Sequence, residues 1–238
     1  MKVLNLHRWE VSPREAMQIQ RELRARLILR DELGEIRVLA GADVGLEKEE
    51  QEGCAGVIAY SFPDLREIER QSARERVTFP YVPGLLAFRE APVLLAALEK
   101  LQAEPDVIMF DAQGLAHPRR LGLASHMGLL LDKPAIGCAK SRLIGEFETP
   151  GNKVGDYSPL YDGDEVVGAV LRTRENVHPV FVSQGHKVSL PTCLEIVLKC
   201  LDGYRVPKPT READHFVETL KQPGPSREKP PSLFGEFE

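Results

Sequence analysis

Two apolar runs in this 238-residue chain each finish on an aspartate: Val38-Leu39-Ala40-Gly41-Ala42-Asp43 and Val107-Ile108-Met109-Phe110-Asp111. Short apolar runs of this kind, bounded by turn residues, read as buried strands. A carboxylate at the end of a buried strand is costly unless it is paired, hydrogen-bonded or metal-bound. The fold must therefore give both aspartates a partner. If the two strands are neighbours, the carboxylates converge into a hard, oxygen-rich site suited to Mg²⁺ or Mn²⁺. The plainer alternative is that each accepts backbone N–H bonds.

The pattern around these runs sets the fold class. Ser12-Pro13-Arg14-Glu15 supplies a capping serine, a proline at the first helical position and a glutamate three residues after the cap. A helix is predicted from 12 to about 33, ended by Gly34, with Ala16, Ile19, Leu23 and Leu27 as its apolar stripe. Residues 36–44, 54–62 and 65–77 read as three strands in an antiparallel meander. Its acidic 47–52 link is a solvated hairpin tip, and its third strand is an edge defended by charge. After the 78–84 loop a helix runs to 102 and starts afresh at Pro92. A strand at 105–111, a helix at 122–131 and a strand at 134–139 follow. Strands at 157–161 and 166–172 flank an Asp162-Gly163 turn. A short strand at 179–183 and helices at 191–201 and 210–221 complete the pattern. The fold class is a mixed α/β sheet, an antiparallel three-stranded meander plus parallel strands, flanked by helices. One domain over 1–221 is expected, with the Pro-rich 222–238 as a flexible tail.

Composition narrows the function classes. Thirty-one Lys and Arg against 36 Asp and Glu give a formal charge of −5, so bulk charge does not hold nucleic acid here. A local basic groove beside an acidic site remains open. No apolar run approaches membrane-spanning length and no signal-peptide core is present, so a cytoplasmic protein with no membrane partner is expected. Cys54, Cys138, Cys193 and Cys200 lack C-x-x-C spacing and read as small buried residues in a reducing compartment.

The segment from Asp111 to Gly122 combines glycines, a histidine and paired arginines, which suits close backbone approach to a ligand. From Arg119 to Arg142 five Lys or Arg stand against one acid, a local reversal of charge that points to a phosphate-facing surface. Lys140 follows a buried strand and is either a surface residue or an ammonium aimed inward.

At this point several motifs become specific. Gly41-Ala42-Asp43-Val44, the block from Pro80-Tyr81-Val82-Pro83-Gly84 to Glu90, the block from Asp111 through His117-Pro118-Arg119-Arg120 to His126, and Gly137-Cys138-Ala139-Lys140-Ser141-Arg142-Leu143 resemble the ordered motif set of endonuclease V. That family comprises deoxyinosine 3′-endonucleases with an RNase H-like fold, and the resemblance spans residues 5–221.

The resemblance implies a nuclease that recognises hypoxanthine and cuts the second phosphodiester bond on its 3′ side. Asp43, Glu90 and Asp111 would be the acidic metal ligands for Mg²⁺, with Mn²⁺ as a substitute. His215 would join the metal site, with Asp214 as the alternative, and Lys140 would approach the scissile phosphate or the attacking water. Tyr81 matches the family wedge, which fills the space left when the lesion leaves the stack. The extruded base would be read by backbone around Gly84, Leu86, Ala112 and Gly122 with His117 nearby. Pro83, Arg119, Ser141 and Leu143 would complete the DNA-facing set. The implied partner is deoxyinosine DNA, single- or double-stranded, bound by a monomer. Inosine in RNA is the alternative substrate, and a catalytically weak lesion-binding protein is the alternative class.

One residue departs from the family pattern. Glycine usually follows the second aspartate, and this chain has Ala112, whose methyl is expected to narrow the base pocket or restrict the backbone. Ser183-Gln184-Gly185-His186 matches a block read as structural or phosphate-positioning. His7, His126 and His178 are read as satisfying local hydrogen bonds.

Overall fold

The computed structural model describes residues 1–47 and 52–221; the expected tip of the first hairpin and the expected tail lie outside the described residues. Eight strands form one sheet in the order β3-β2-β1-β4-β5-β8-β7-β6. The meander is β1 (Val38–Glu47), β2 (Glu52–Ser61) and β3 (Glu67–Arg76), with β3 at the sheet edge as its charge pattern predicts. β4 (Val107–Phe110) pairs in parallel with β1, and β5 (Ala135–Ala139) pairs in parallel with β4. Parallel pairing ends there. β6 (Tyr157–Asp162), β7 (Glu165–Leu171) and β8 (Val180–His186) extend the sheet antiparallel, because a two-residue turn with Gly163 at φ +62° folds β7 back on β6.

Among the described residues, four helices cover the two faces. On one side α2 (Leu86–Leu98) and α3 (Leu123–Leu131) close a core with Ala40, Ala42, Val57, Ile108 and Phe110. On the other, α4 (Leu190–Lys199) and α5 (Lys208–Lys221) cover Leu39, Ile58, Val107, Met109 and Ile136. The period-two alternation of β1 and β4 thus serves two apolar layers at once. All four cysteines are buried, and no described helix is long and apolar enough to cross a membrane.

Three expectations need correction. The first helix, α1 (Pro13–Arg24), has the predicted capping box but stops at Ala25, well short of residue 33. Beyond it the backbone bonds to distant partners: Ile28 N–H to His186 Nδ1, Lys187 N–H to Ile28 O, and Glu32 N–H to Lys187 O. Those bonds replace the helical ladder. Pro92 does not restart α2, which runs through it. A mid-helix proline costs about 3 kcal/mol. Eight buried side chains on α2, each worth about 1.5–3 kcal/mol for the larger ones, outweigh that. The short strand expected at 179–183 continues to His186, so the Ser-Gln-Gly-His block lies within β8.

The N-terminal segment seals α3. Every α3 residue is buried, and Leu4 N–H donates to Leu130 O at 2.7 Å. His126 on α3 is 0% exposed and lies 2.7 Å from His7, Nε2 to Nε2, among Trp9 and Phe88. One ring must donate and the other accept, so at least one of the two must stay neutral. Burial, then the charges of His7 and His117, pull His126 down to about 3. The unfolded chain takes up that proton near pH 6.5. The contribution is therefore complete above about pH 6.5 and is lost as pH falls toward the folded value. His126→Asn is expected to be less stable at pH 7, with a Tm gap to the wild type that narrows steadily down to pH 4.5. Calorimetry on both proteins checks this, and a gap constant with pH would exclude it.

Candidate active site

The β1–β4 pairing decides where the two aspartates go. Ala42 is in register with Phe110, and Asp111 N–H donates to Ala42 O at 3.2 Å, so Asp43 and Asp111 leave the sheet side by side. They lie on the face that α5 covers. α5 comes so close because residue 41 is glycine: a Cβ there would stand 2.1 Å from Pro209 O. That approach delivers Asp214. Lys140, the first residue after β5, contacts Asp111 Oδ2 at 2.6 Å and Asp214 Oδ2 at 2.7 Å.

The cluster is electrostatically strained. Burial, then the charges of Asp111 and Asp214, push Asp43 up to about 7, against the opposing pull of Lys140. Glu90, carried by α2 from the opposite face, is pushed up to about 8 by burial and then by Asp43. Asp111 is raised by burial too, with Lys140 opposing. For Lys140 burial alone would favour the neutral amine, but its two carboxylate partners outweigh that and hold it protonated.

The sequence-predicted residues thus fall into two groups. Asp43, Glu90, Asp111 and Lys140 share one cleft, whereas His215 is exposed and its neighbour Asp214 takes the contact with Lys140. Among the described residues, no three His, Cys, Asp or Glu close round one point as they stand, because an ammonium sits between Asp111 and Asp214. The donor chemistry still fits a hard divalent cation: carboxylate oxygens that repel one another and are only part-ionised near neutral pH.

Beside the carboxylates lies a cavity of about 170 Å³ lined by Tyr81, Pro83, Gly84, Leu86, His117, Gly122 and Leu143. Tyr81 is 73% exposed at its rim. Gly84 holds the turn at φ +78°, a left-handed conformation that favours glycine. Its carbonyl accepts from His117 Nε2 (2.9 Å), Gln20 Nε2 (3.0 Å) and Arg119 Nη2 (2.6 Å). Burial, then the Arg119 charge, lower His117 to about 4, so it is neutral. With Nδ1 accepting from Arg119 N–H, the tautomer that donates from Nε2 follows.

Two glutamines in this wall escaped the sequence reading. Gln20, 1% exposed on α1, also donates to Leu121 O and accepts from Arg119 Nε. Gln113 lines the cavity and donates to Ser141 O, while its buried Oε1 has no partner. A polar residue on the apolar stripe of α1 was the available signal for Gln20; Gln113 had none.

Other expectations are revised. Ala112 does not line the cavity; its side chain packs in the core with Leu123, Ala124 and Met127. Arg119 turns inward to Gly84 O, and Ser141 lines a separate groove. The 119–142 basic run is not one phosphate-facing surface. Arg120 is buried against Asp162 and Glu165, and Lys133 pairs with Glu104. The Ser183 block is structural, since Ser183 Oγ accepts from Gly114 N–H and Gln184 O from Leu115 N–H. His178 makes no hydrogen bond among the described residues and is exposed.

Carboxylates from two paired parallel strands and a helix, with Asp43 inside β1 rather than at its end, cluster in an RNase H-like sheet beside a base-sized cavity and define the nuclease class. The Endonuclease V family model matches residues 21–215. Endonuclease V of Trichormus variabilis is 48% identical over 218 residues, covering 91% of this chain and 99% of that one. The crystal structure of endonuclease V from Bacillus subtilis superposes with a TM-score of 0.88 at 34% identity, covering 92% and 97%. That of Ciona intestinalis endonuclease V, in complex with a 24-mer DNA containing an inosine followed by a ribo-adenosine, gives 0.77 at 29% identity, covering 87% and 96%. This chain belongs to the endonuclease V family and is a nuclease.

Two substitutions test the geometry. Gly41→Ala is expected to displace α5, cost about 1–3 kcal/mol in urea unfolding and lower activity by moving Asp214. Gly34→Ala, where a Cβ meets nothing, serves as the neutral control. Ala112→Gly is expected to cost about 0.5–1 kcal/mol through backbone entropy and leave lesion range unchanged. A broadened lesion range in a cleavage assay would return Ala112 to the pocket wall.

Proposed function

We propose that this chain is a DNA-repair endonuclease that recognises deoxyinosine and hydrolyses the second phosphodiester bond 3′ to the lesion, leaving a 3′-hydroxyl and a 5′-phosphate. The observation that carries the reading is the adjacency of a small cavity under a proline-flanked tyrosine and a cleft of mutually repelling carboxylates bridged by lysine. The Ciona relative's complex with inosine-containing DNA supports the substrate class.

Asp43, Glu90 and Asp111 are the residues to hold Mg²⁺, or Mn²⁺ in its place. The bound ion would acidify a water and neutralise charge on the scissile phosphate. Lys140 adds a fixed positive charge at the same edge of the cleft, where the non-bridging oxygens gather negative charge. Tyr81 fills the gap left in the stack, offsetting an unstacking cost of a few kcal/mol. The cavity excludes water from the extruded base. Hypoxanthine has a ring N–H that adenine lacks, so an acceptor in the cavity wall tells the two apart. A site left with an unpaired acceptor rejects the base without that donor.

The test is an end-labelled strand carrying one deoxyinosine, beside an all-adenine control and an inosine RNA. A nick one nucleotide 3′ of the lesion in DNA is expected, absent from the control and absent with Asp43→Asn. Cutting of the RNA alone would move the chain to inosine-RNA turnover. The same variant gives a second readout. Removing a buried, repelled carboxylate should raise Tm at pH 8 and leave it unchanged near pH 4, because Asp43 loses its charge as pH falls through about 7. Mg²⁺ should raise the Tm of the wild type and not of the variant. An equal Mg²⁺ shift in both would exclude Asp43 as a ligand.

A further inference from the structure

Lys140 also lines a second groove, about 700 Å³, which shares no lining residue with the base cavity. Lys140, Arg142, Arg172, Arg205 and His178 line it, and no aspartate or glutamate does, in a chain whose net charge is −5. Its arginines are fixed without being neutralised. Arg142 donates to Gly145 O at 3.0 Å, Arg172 to Gly151 O at 3.0 Å and Arg205 to Pro179 O at 2.9 Å. Among the described residues none of the three has a carboxylate at ion-pair distance. Arg205 Nε is buried without a partner, and the Arg205 charge reaches Asp111. Phe147 and Phe181 meet edge to face at 5.5 Å beneath, and the Arg142 guanidinium stands 5.7 Å over the Phe147 ring.

A pre-set positive track over aromatic rings is the physical pattern of a site for single-stranded nucleic acid. Guanidiniums already locked by carbonyls lose little further side-chain freedom on binding a phosphate. Lys140 links the two: it touches Asp111 and Asp214 and also lines this groove, so the groove opens directly beside the carboxylates. A cut on the 3′ side of the lesion leaves the following nucleotides beyond the carboxylates, and this groove, which shares no lining residue with the base cavity, is where they can lie. We propose that this groove holds the single strand 3′ of the scissile phosphate, with Arg142, His178 and Arg205 facing its phosphates and Phe147 facing a base. The assignment rests on the deoxyinosine-nuclease reading above, and it accounts for His178 being exposed and without a hydrogen bond.

The experiment uses single strands with one deoxyinosine, a fixed 5′ flank and a 3′ flank of two or of eight nucleotides. For the wild type, kcat/KM is expected to be about tenfold higher on the longer strand, mainly through KM, with a salt slope steeper by about 0.7 for each added phosphate contact. The doubly substituted Arg142→Ala, His178→Ala protein should fall to the short-strand value on the long strand and stay within about twofold of wild type on the short one. Arg142→Lys should keep most of the length effect. Equal kcat/KM on the two lengths in the wild type overturns the groove while leaving the nuclease reading intact. So does an equal loss on both lengths in the double variant. No cutting of the long strand by the wild type would overturn the deoxyinosine-DNA reading and this assignment with it.

Discussion

Everything in the cleft follows from holding several carboxylates closer together than their charges favour. Asp43 and Glu90 are raised by burial and then by neighbouring carboxylates, and Asp111 by burial and Asp214, so the folded chain near neutral pH carries a repulsion that its own packing must offset. The offset is built into the sheet. The parallel β1–β4 register fixes two of the carboxylates, and the α2 core fixes the third. Lys140 is the only cation in direct contact with Asp111 and Asp214 among the described residues, and one ammonium cannot balance so many acids. A site that is destabilising to its own fold yet closely supported is what preorganisation for charge on a ligand looks like.

Rigidity and freedom are divided along the cleft. On the base side one carbonyl, that of Gly84, gathers three donors from α1 and the His117 loop, so the Tyr81 loop is anchored at its C-terminal end while the tyrosine stays in solvent. On the other side a run of arginines is pinned by backbone carbonyls and left without counter-charge. The three zones have different chemistry: an apolar cavity, an acidic centre and a basic groove. A net charge of −5 conceals this, because the acids that would balance the groove are elsewhere on the surface.

Several elements were legible before folding was considered. The cap of α1, the charged edge of β3 and the Gly163 turn are local, each decided within a few residues. The elements that read wrongly were those whose backbone groups find distant partners. The helix expected to reach residue 33 ends early because Ile28 and Glu32 bond to the end of β8, more than 150 residues away. Pro92 looked like a helix start by its own geometry, and the buried side chains around it decided otherwise. The basic run from Arg119 to Arg142 looked like one surface. In space Arg120 turns to Asp162 and Glu165, and Arg119 to a carbonyl.

The sequence by itself determined the two aspartates closing apolar runs, the proline-flanked tyrosine and the lysine after β5, because residue type and local pattern are enough to mark a costly or constrained position, although β1 runs on past Asp43 to Glu47. Only the tertiary structure decided what those residues face. It placed Asp214 rather than His215 against Lys140, turned the Ala112 methyl into the core, brought Gln20 and Gln113 to the cavity wall, and joined Arg142, Arg172 and Arg205 into a groove. The physical reason is common to all of them. Charge and hydrogen-bond complementarity act over a few ångströms in space, between residues whose separation along the chain carries no trace of the contact.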